Sequence, residues 1–114
     1  MMTKIALNNL KMNVIQTAPN GVVNDLTIFT FSQADNFISA SYAGGQIFKG
    51  YLVGTLHNDK LLFSYCQLQN DGKMDNGQSE CALSIGGNGK IRLTEHFEFA
   101  SRENGQGINV FQEL

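Results

Sequence analysis

From Leu26 to the C-terminus, apolar and polar residues alternate with a period of two, and residues suited to tight turns cut the alternation at intervals. The runs are DLTIFTFSQ (25–33), FISASYA (37–43), QIFKGYLVGTL (46–56), LLFSYCQLQ (61–69), GQSECALSI (77–85), IRLTEHFEFA (91–100) and INVFQEL (108–114). Between them stand ADN at 34–36, Gly44-Gly45, HNDK at 57–60, NDGK at 70–73, GGNGK at 86–90 and ENGQG at 103–107. Asn-Asp, Asp-Gly, Asn-Gly and Gly-Gly reach the positive φ of hairpin turns at little steric cost. Period-two runs joined by such turns predict an antiparallel meander. TEHFEFASRE (94–103) has helix formers, but Ile91, Leu93, Phe97 and Phe99 keep strand spacing. LKMNVIQT (10–17) predicts one further strand before an APNG turn at 18–21, where the single proline interrupts no ladder.

Seven or eight antiparallel strands in 114 residues leave two architectures, a small closed barrel or a two-sheet sandwich. Sequential short hairpins favour the first, since sandwiches need longer crossings between sheets. The expected fold is therefore all-β: one domain over residues 1–114, an up-and-down barrel of about eight strands, calycin- or streptavidin-like. Gly50 and Gly54, four apart in the longest run, share a face and allow the sharp bend that small barrels require.

Composition narrows the partners. Hydrophobic residues make up 42% and charged residues only 16%, so neutral polar side chains cover the surface of a folded chain. Net charge is −2 and the basic residues are scattered, which excludes the electrostatic footprint of a nucleic-acid binder. Asn8 and Asn9 break the N-terminal apolar run and no window has the length of a membrane span, so a cytoplasmic protein without a membrane partner is expected. Cys66 and Cys81 are too few for a disulfide framework, lack C-x-x-C spacing, and read as small apolar packing residues. His57 and His96 lie far apart with no partnering ligand and read as surface histidines. NDGKMDNGQSE (70–80) lacks the ligand order of an EF-hand, and GGNGKI (86–91) has Ser84 where a phosphate loop needs its first glycine. No metal and no cofactor is expected.

Arg102-Glu-Asn-Gly105-Gln-Gly107 matches R-x-x-G-x-G, the pyrophosphate loop of acetyl-CoA-dependent N-acetyltransferases. That loop works with a helix of several turns behind it, whose N-terminus faces the phosphates. Here seven residues remain, with a β-branched start, so ENGQG reads as a hairpin turn into a last strand. The strings GGQIFKGYLVG (44–54), NDGKMDNG (70–77) and GNGKIRLTEHFEF (87–99) resemble a family of small bacterial β-rich proteins that genomes often label N-acetylglutamate synthase. The likeness spans about residues 20–100 and implies no catalytic residues. An acetyltransferase domain of the kind that label requires does not fit a chain this short and this rich in strand patterning.

Parity assigns the faces. Ile91, Leu93, Glu95, Phe97 and Phe99 face inward, as do Leu61, Phe63, Tyr65 and Gln67; Ile38, Ala40 and Tyr42; Phe48, Gly50, Leu52, Gly54 and Leu56, with Lys49 outside; and Phe29 and Phe31. The interior then holds one carboxylate, two phenols and an amide among aromatic walls. A buried carboxylate costs several kcal/mol unless donors reach it, and Tyr42, Tyr65 and Gln67 are the donors expected around Glu95. Two readings stay open: a satisfied core group, or the polar end of a small-molecule site at the barrel mouth. The leading function is a non-enzymatic binding module for a small, partly apolar ligand held by Glu95, Tyr65, Tyr42 and Gln67. The alternatives are a homo-oligomer through the outer face, using Leu62, Leu68 and Phe111, and an enzyme with Glu95 as acid or base. Parity does not reveal whether the barrel is hollow.

Overall fold

The computed structural model describes residues 5–103 and 105–114. Residues 1–4 of the N-terminal apolar run, and Asn104 of the ENGQG turn, lie outside the described residues. Eight strands follow in order: β1 Lys11–Gln16, β2 Ile28–Ala34, β3 Phe37–Gly44, β4 Ile47–His57, β5 Lys60–Gln69, β6 Met74–Ile85, β7 Ile91–Phe99 and β8 Gln106–Glu113. Each pairs antiparallel with the next and β8 closes on β1, so the sheet is the expected up-and-down barrel, with no helix among the described residues. The strand read from LKMNVIQT is β1, and the run after Gly107 is strand, as hairpin chemistry requires.

Local chemistry explains the closures. In HNDK, Asn58 and Asp59 both take positive φ (50° and 61°) between the paired His57 and Lys60, the mirror-image turn whose twist suits a hairpin. The β4–β5 ladder runs from Ile47↔Gln69 to His57↔Lys60 with one register shift, between Ile47 and Lys49, whereas β1 and β2 share only Lys11↔Thr30 and Met12↔Phe29. The barrel is therefore strongest at its long central hairpin and weakest at the β1–β2 seam.

Inner faces fall as parity predicts on β2, β3, β5 and β7, and Phe29, Phe31, Ile38, Tyr42, Leu61, Phe63, Leu93, Phe97 and Phe99 are buried. Three expectations are corrected. Phe48 is 64% exposed, because the register shifts between Ile47 and Lys49; one extra residue reverses the face of everything before it, and Ile47 is buried instead. Phe111 is core, not outer surface, with its ring edge-on to Phe29 at 4.6 Å between centroids. Cys66 is exposed on the outer face and packs in no core, while Cys81 is buried as expected.

The two ends close differently. At the end where β1 begins and β2 finishes, residues 5–10 fold inward: Leu7 is fully buried, and its N–H donates to Gln33 Oε1 at 2.8 Å. The opposite end carries the longest connection, residues 17–27, whose Ala18, Val22, Val23 and Thr27 are buried. Burying Leu7, Val22 and Val23 stabilises the barrel by roughly 1.5–3 kcal/mol each, so both closures are part of the core.

Candidate functional site

Beneath the 17–27 connection lies a small, half-enclosed void of about 20 Å³, bordered by Tyr42, Tyr65, Gln67 and Glu95. All four residues singled out from parity thus meet at one place. Its walls are Phe29, Leu52, Phe63, Phe97 and Phe99, and Val22 and Val23 roof it. A space of this size holds about one water molecule, against roughly 300–1,000 Å³ for drug-sized ligands. The aromatic packing explains the small volume. Phe29 and Tyr42 stack at 4.2 Å, Phe97 and Phe99 meet edge-on at 5.2 Å, and Tyr65 sits 6.1 Å from both Phe63 and Phe99.

The hydrogen bonds differ from those expected. Glu95 is satisfied by Ser79, whose Oγ donates to Oε2 at 2.7 Å, and by Asn109, whose Nδ2 donates to Oε1 at 2.9 Å. Neither tyrosine nor Gln67 supplies its donors. Tyr42 OH donates instead to Gln67 Oε1 at 2.8 Å, and Tyr65 OH makes a long contact of 3.4 Å to the Glu98 carbonyl. The reason is register: Asn109 stands directly opposite Glu95 on β8, and Ser79 is its diagonal neighbour on β6, beside Cys81. Ladder neighbours are already in place, whereas Tyr42 and Gln67 project from strands across the barrel and pair with each other. Asn109 also ties the site to its roof, since the Ala18 N–H donates to Asn109 Oδ1 at 2.9 Å.

Burial pushes the Glu95 carboxyl above its ordinary value, and the bonds from Ser79 and Asn109 only partly offset this. Burial likewise raises Tyr42 and Tyr65, and the charge of Glu95 adds to both shifts. The Cys81 thiol is raised by burial and then by Glu95, which leaves it an inert packing group.

A second polar cluster, which sequence reading missed, closes the same end. Asp75 is buried, with Arg102 Nε and Nη2 donating to its two oxygens at 2.8 and 2.6 Å. Ser101 Oγ and Gln69 Nε2 add bonds at 3.1 and 3.2 Å. Burial alone would raise Asp75, but these donors, Arg102 first, hold it below the usual carboxylate range. The Arg102 guanidinium also lies 4.5 Å from the centroid of the Phe99 ring. The arginine of the R-x-x-G-x-G string is therefore a structural clasp, and the acidic string around Asp75 supplies an ion pair; among the described residues no acidic, histidine or cysteine cluster is arranged to hold a metal.

On the outer wall, a shallow concavity of about 880 Å³ crosses β4 to β8, with exposed Val53, Leu62 and Ile108 in its lining beside Glu80, His96 and Glu98. The signal for Ser79 and Asn109 was present in principle, since hairpin register through the ENGQG turn sets Asn109 against Glu95. It was hidden because Ile108, Val110 and Phe111 are all apolar and do not mark a face.

A family model described as avidin-like protein matches residues 5–114. The match makes the chain a member of a family of small β-barrels, the coarse part of what the strings between 44 and 99 implied. No curated protein and no solved structure matches the chain.

Proposed function

Because the chain belongs to the avidin-like family, we propose that it is a non-enzymatic barrel that holds a small, partly apolar molecule in its upper interior. The observation that carries this reading is the convergence of Glu95, Asn109, Tyr42, Gln67 and Tyr65 from four strands on one aromatic-walled void, with Ser79 bonded to Glu95 from a fifth. Apolar walls with a few placed polar groups are the general form of a small-molecule site. Glu95 and Asn109 would meet the polar end of the ligand, and Phe29, Phe63 and Phe97 its apolar body. The void is far smaller than such a ligand, so binding requires displacement of some of the groups that now fill the space. Ser79, Glu95 and Asn109 do have the order of nucleophile, base and orienting group, but Ser79 does not border the void, so its hydroxyl faces no space in which a substrate carbonyl would sit. That favours binding over catalysis.

The test is calorimetric titration of the wild type and of Glu95→Gln. Biotin comes first, since avidin-like barrels bind small ligands such as biotin, followed by neutral aromatic amides and phenols. The expected outcome is saturable binding of one class, weakened about tenfold or more by the substitution. No binding by any class overturns the reading, and equal affinity in both proteins removes Glu95 from it.

A second reading concerns the outer wall. Tyr51, Val53 and Leu62 are each more than half exposed on neighbouring positions of β4 and β5. Apolar side chains clustered on the outside of a small barrel are suited to a second copy of the chain.

A further inference from the structure

Among the described residues two carboxylates are buried, Asp75 and Glu95, and they are provided for differently. Asp75 has a cation of its own, since Arg102 donates to both of its oxygens at 2.8 and 2.6 Å. Glu95 has none. Its two oxygens accept from Ser79 and Asn109, both neutral, and no positive charge offsets the effect of burial on its carboxyl. Among the described residues that border the void beside it there is no lysine, arginine or histidine. An ionised Glu95 therefore gives the lining a single negative charge. Buried charges are as a rule paired, because an ion taken out of water without a counter-ion costs several kcal/mol.

The rest of the lining suits a positive charge. Six aromatic rings border the void, those of Phe29, Tyr42, Phe63, Tyr65, Phe97 and Phe99. The face of such a ring carries the negative part of its quadrupole and attracts an ammonium group lying over it. The chain uses the same attraction nearby, where the Arg102 guanidinium stands 4.5 Å from the Phe99 centroid. The two phenols favour the same sign. Tyr42 gives its proton to Gln67 Oε1 and Tyr65 turns its own toward the Glu98 carbonyl, so each phenol oxygen keeps lone pairs that can accept. An ammonium head has three protons to donate and no lone pair. It is also about the size of the one water molecule that a void of 20 Å³ holds. An anionic head would meet Glu95 as a like charge, with no cation in the lining to offset the repulsion.

We propose that the interior site takes a cation, the protonated head of a small apolar or aromatic amine, seated between the Glu95 carboxylate and the surrounding rings. The bound amine gives Glu95 the counter-ion that Arg102 gives Asp75. Ser79 and Asn109 hold the carboxylate in position for the ion pair. This rests on the ligand-binding reading above and narrows it to one sign of charge.

The test adds two compounds to the calorimetric series as further classes: benzylamine, protonated at neutral pH, and benzyl alcohol, its neutral counterpart of nearly the same shape. The wild type is expected to bind benzylamine at least about tenfold more tightly than benzyl alcohol, and Glu95→Gln to lose that preference. Both results together support the proposal. Equal affinity of the wild type for the two, or tighter binding of the alcohol, overturns the cation and leaves the ligand-binding reading standing. A preference for benzylamine that survives in Glu95→Gln overturns Glu95 as its seat and assigns the amine to carboxylates outside the barrel. If the wild type binds neither, the proposal fails, and the titrations with biotin, amides and phenols decide whether the ligand-binding reading fails with it.

Discussion

Glu95 and Asp75 are two buried carboxylates that respond to pH in opposite directions. Glu95 has its folded pKa raised by burial, so the stability linked to its protonated form is present below the ordinary value of 4.5 and is lost as pH rises through the folded value. Asp75 has its folded pKa lowered, chiefly by Arg102 against the effect of burial, so its contribution is present above 3.8 and is lost as pH falls through the folded value. Thermal unfolding followed from acidic to neutral pH should therefore show a descending limb that belongs to Glu95. Glu95→Gln keeps an acceptor for Asn109 and a donor toward Ser79, and it is expected to abolish that limb and to be at least as stable as the wild type at neutral pH. A limb of unchanged slope in the variant would assign it to other groups.

Among the elements, β4 shows how one residue governs a strand. Gly50 faces inward beneath the Tyr42 ring, and a Cβ there would run into that ring. Gly50→Ala must push Tyr42 off its stack on Phe29, and overpacking of this kind costs about 1–3 kcal/mol. Gly87→Ala, where an added Cβ meets nothing, should stay within about 0.5 kcal/mol of the wild type. Urea denaturation of the two variants checks the contrast, and equal losses would show that the glycine's backbone freedom, not space for Tyr42, is what matters at Gly50. The same strand holds the clearest misreading of pattern. Its apolar order Ile47, Phe48 gives no hint of which residue turns inward, and the bulge that decides it arises from pairing with β5. Parity was sound from Gly50 onward because the alternation there is undisturbed.

For the whole molecule, closure of β8 on β1 gives every strand a neighbour on both sides, so self-association is expected to use the wall or the ends. Val53 at 63% and Leu62 at 53% exposure put an apolar patch on the β4–β5 wall. Sedimentation velocity is expected to find a species larger than the 12.5 kDa chain, and Val53→Asp/Leu62→Asp to return it to the monomer with the barrel intact. A wild type that stays monomeric at all concentrations would exclude the outer-wall reading and leave the interior as the functional surface.

The sequence by itself determined the strands, their turns and the meander, because each rests on interactions between residues close in the chain: alternation along a strand and positive φ in a hairpin; closure came from β1 meeting β8, residues at opposite ends of the chain. It also placed Glu95, Tyr42, Tyr65 and Gln67 on inner faces, since parity is a local property. Only the tertiary structure decided what Glu95 bonds to, because Ser79 and Asn109 reach it through the register of two different ladders. Only the tertiary structure showed that residues 5–10 and 17–27, which carry no clear period, fold into the two ends of the barrel and fill them. Interior volume is the space left by side chains from every strand at once. No pattern along one strand encodes it, and here it came down to a void of about 20 Å³ under two valines.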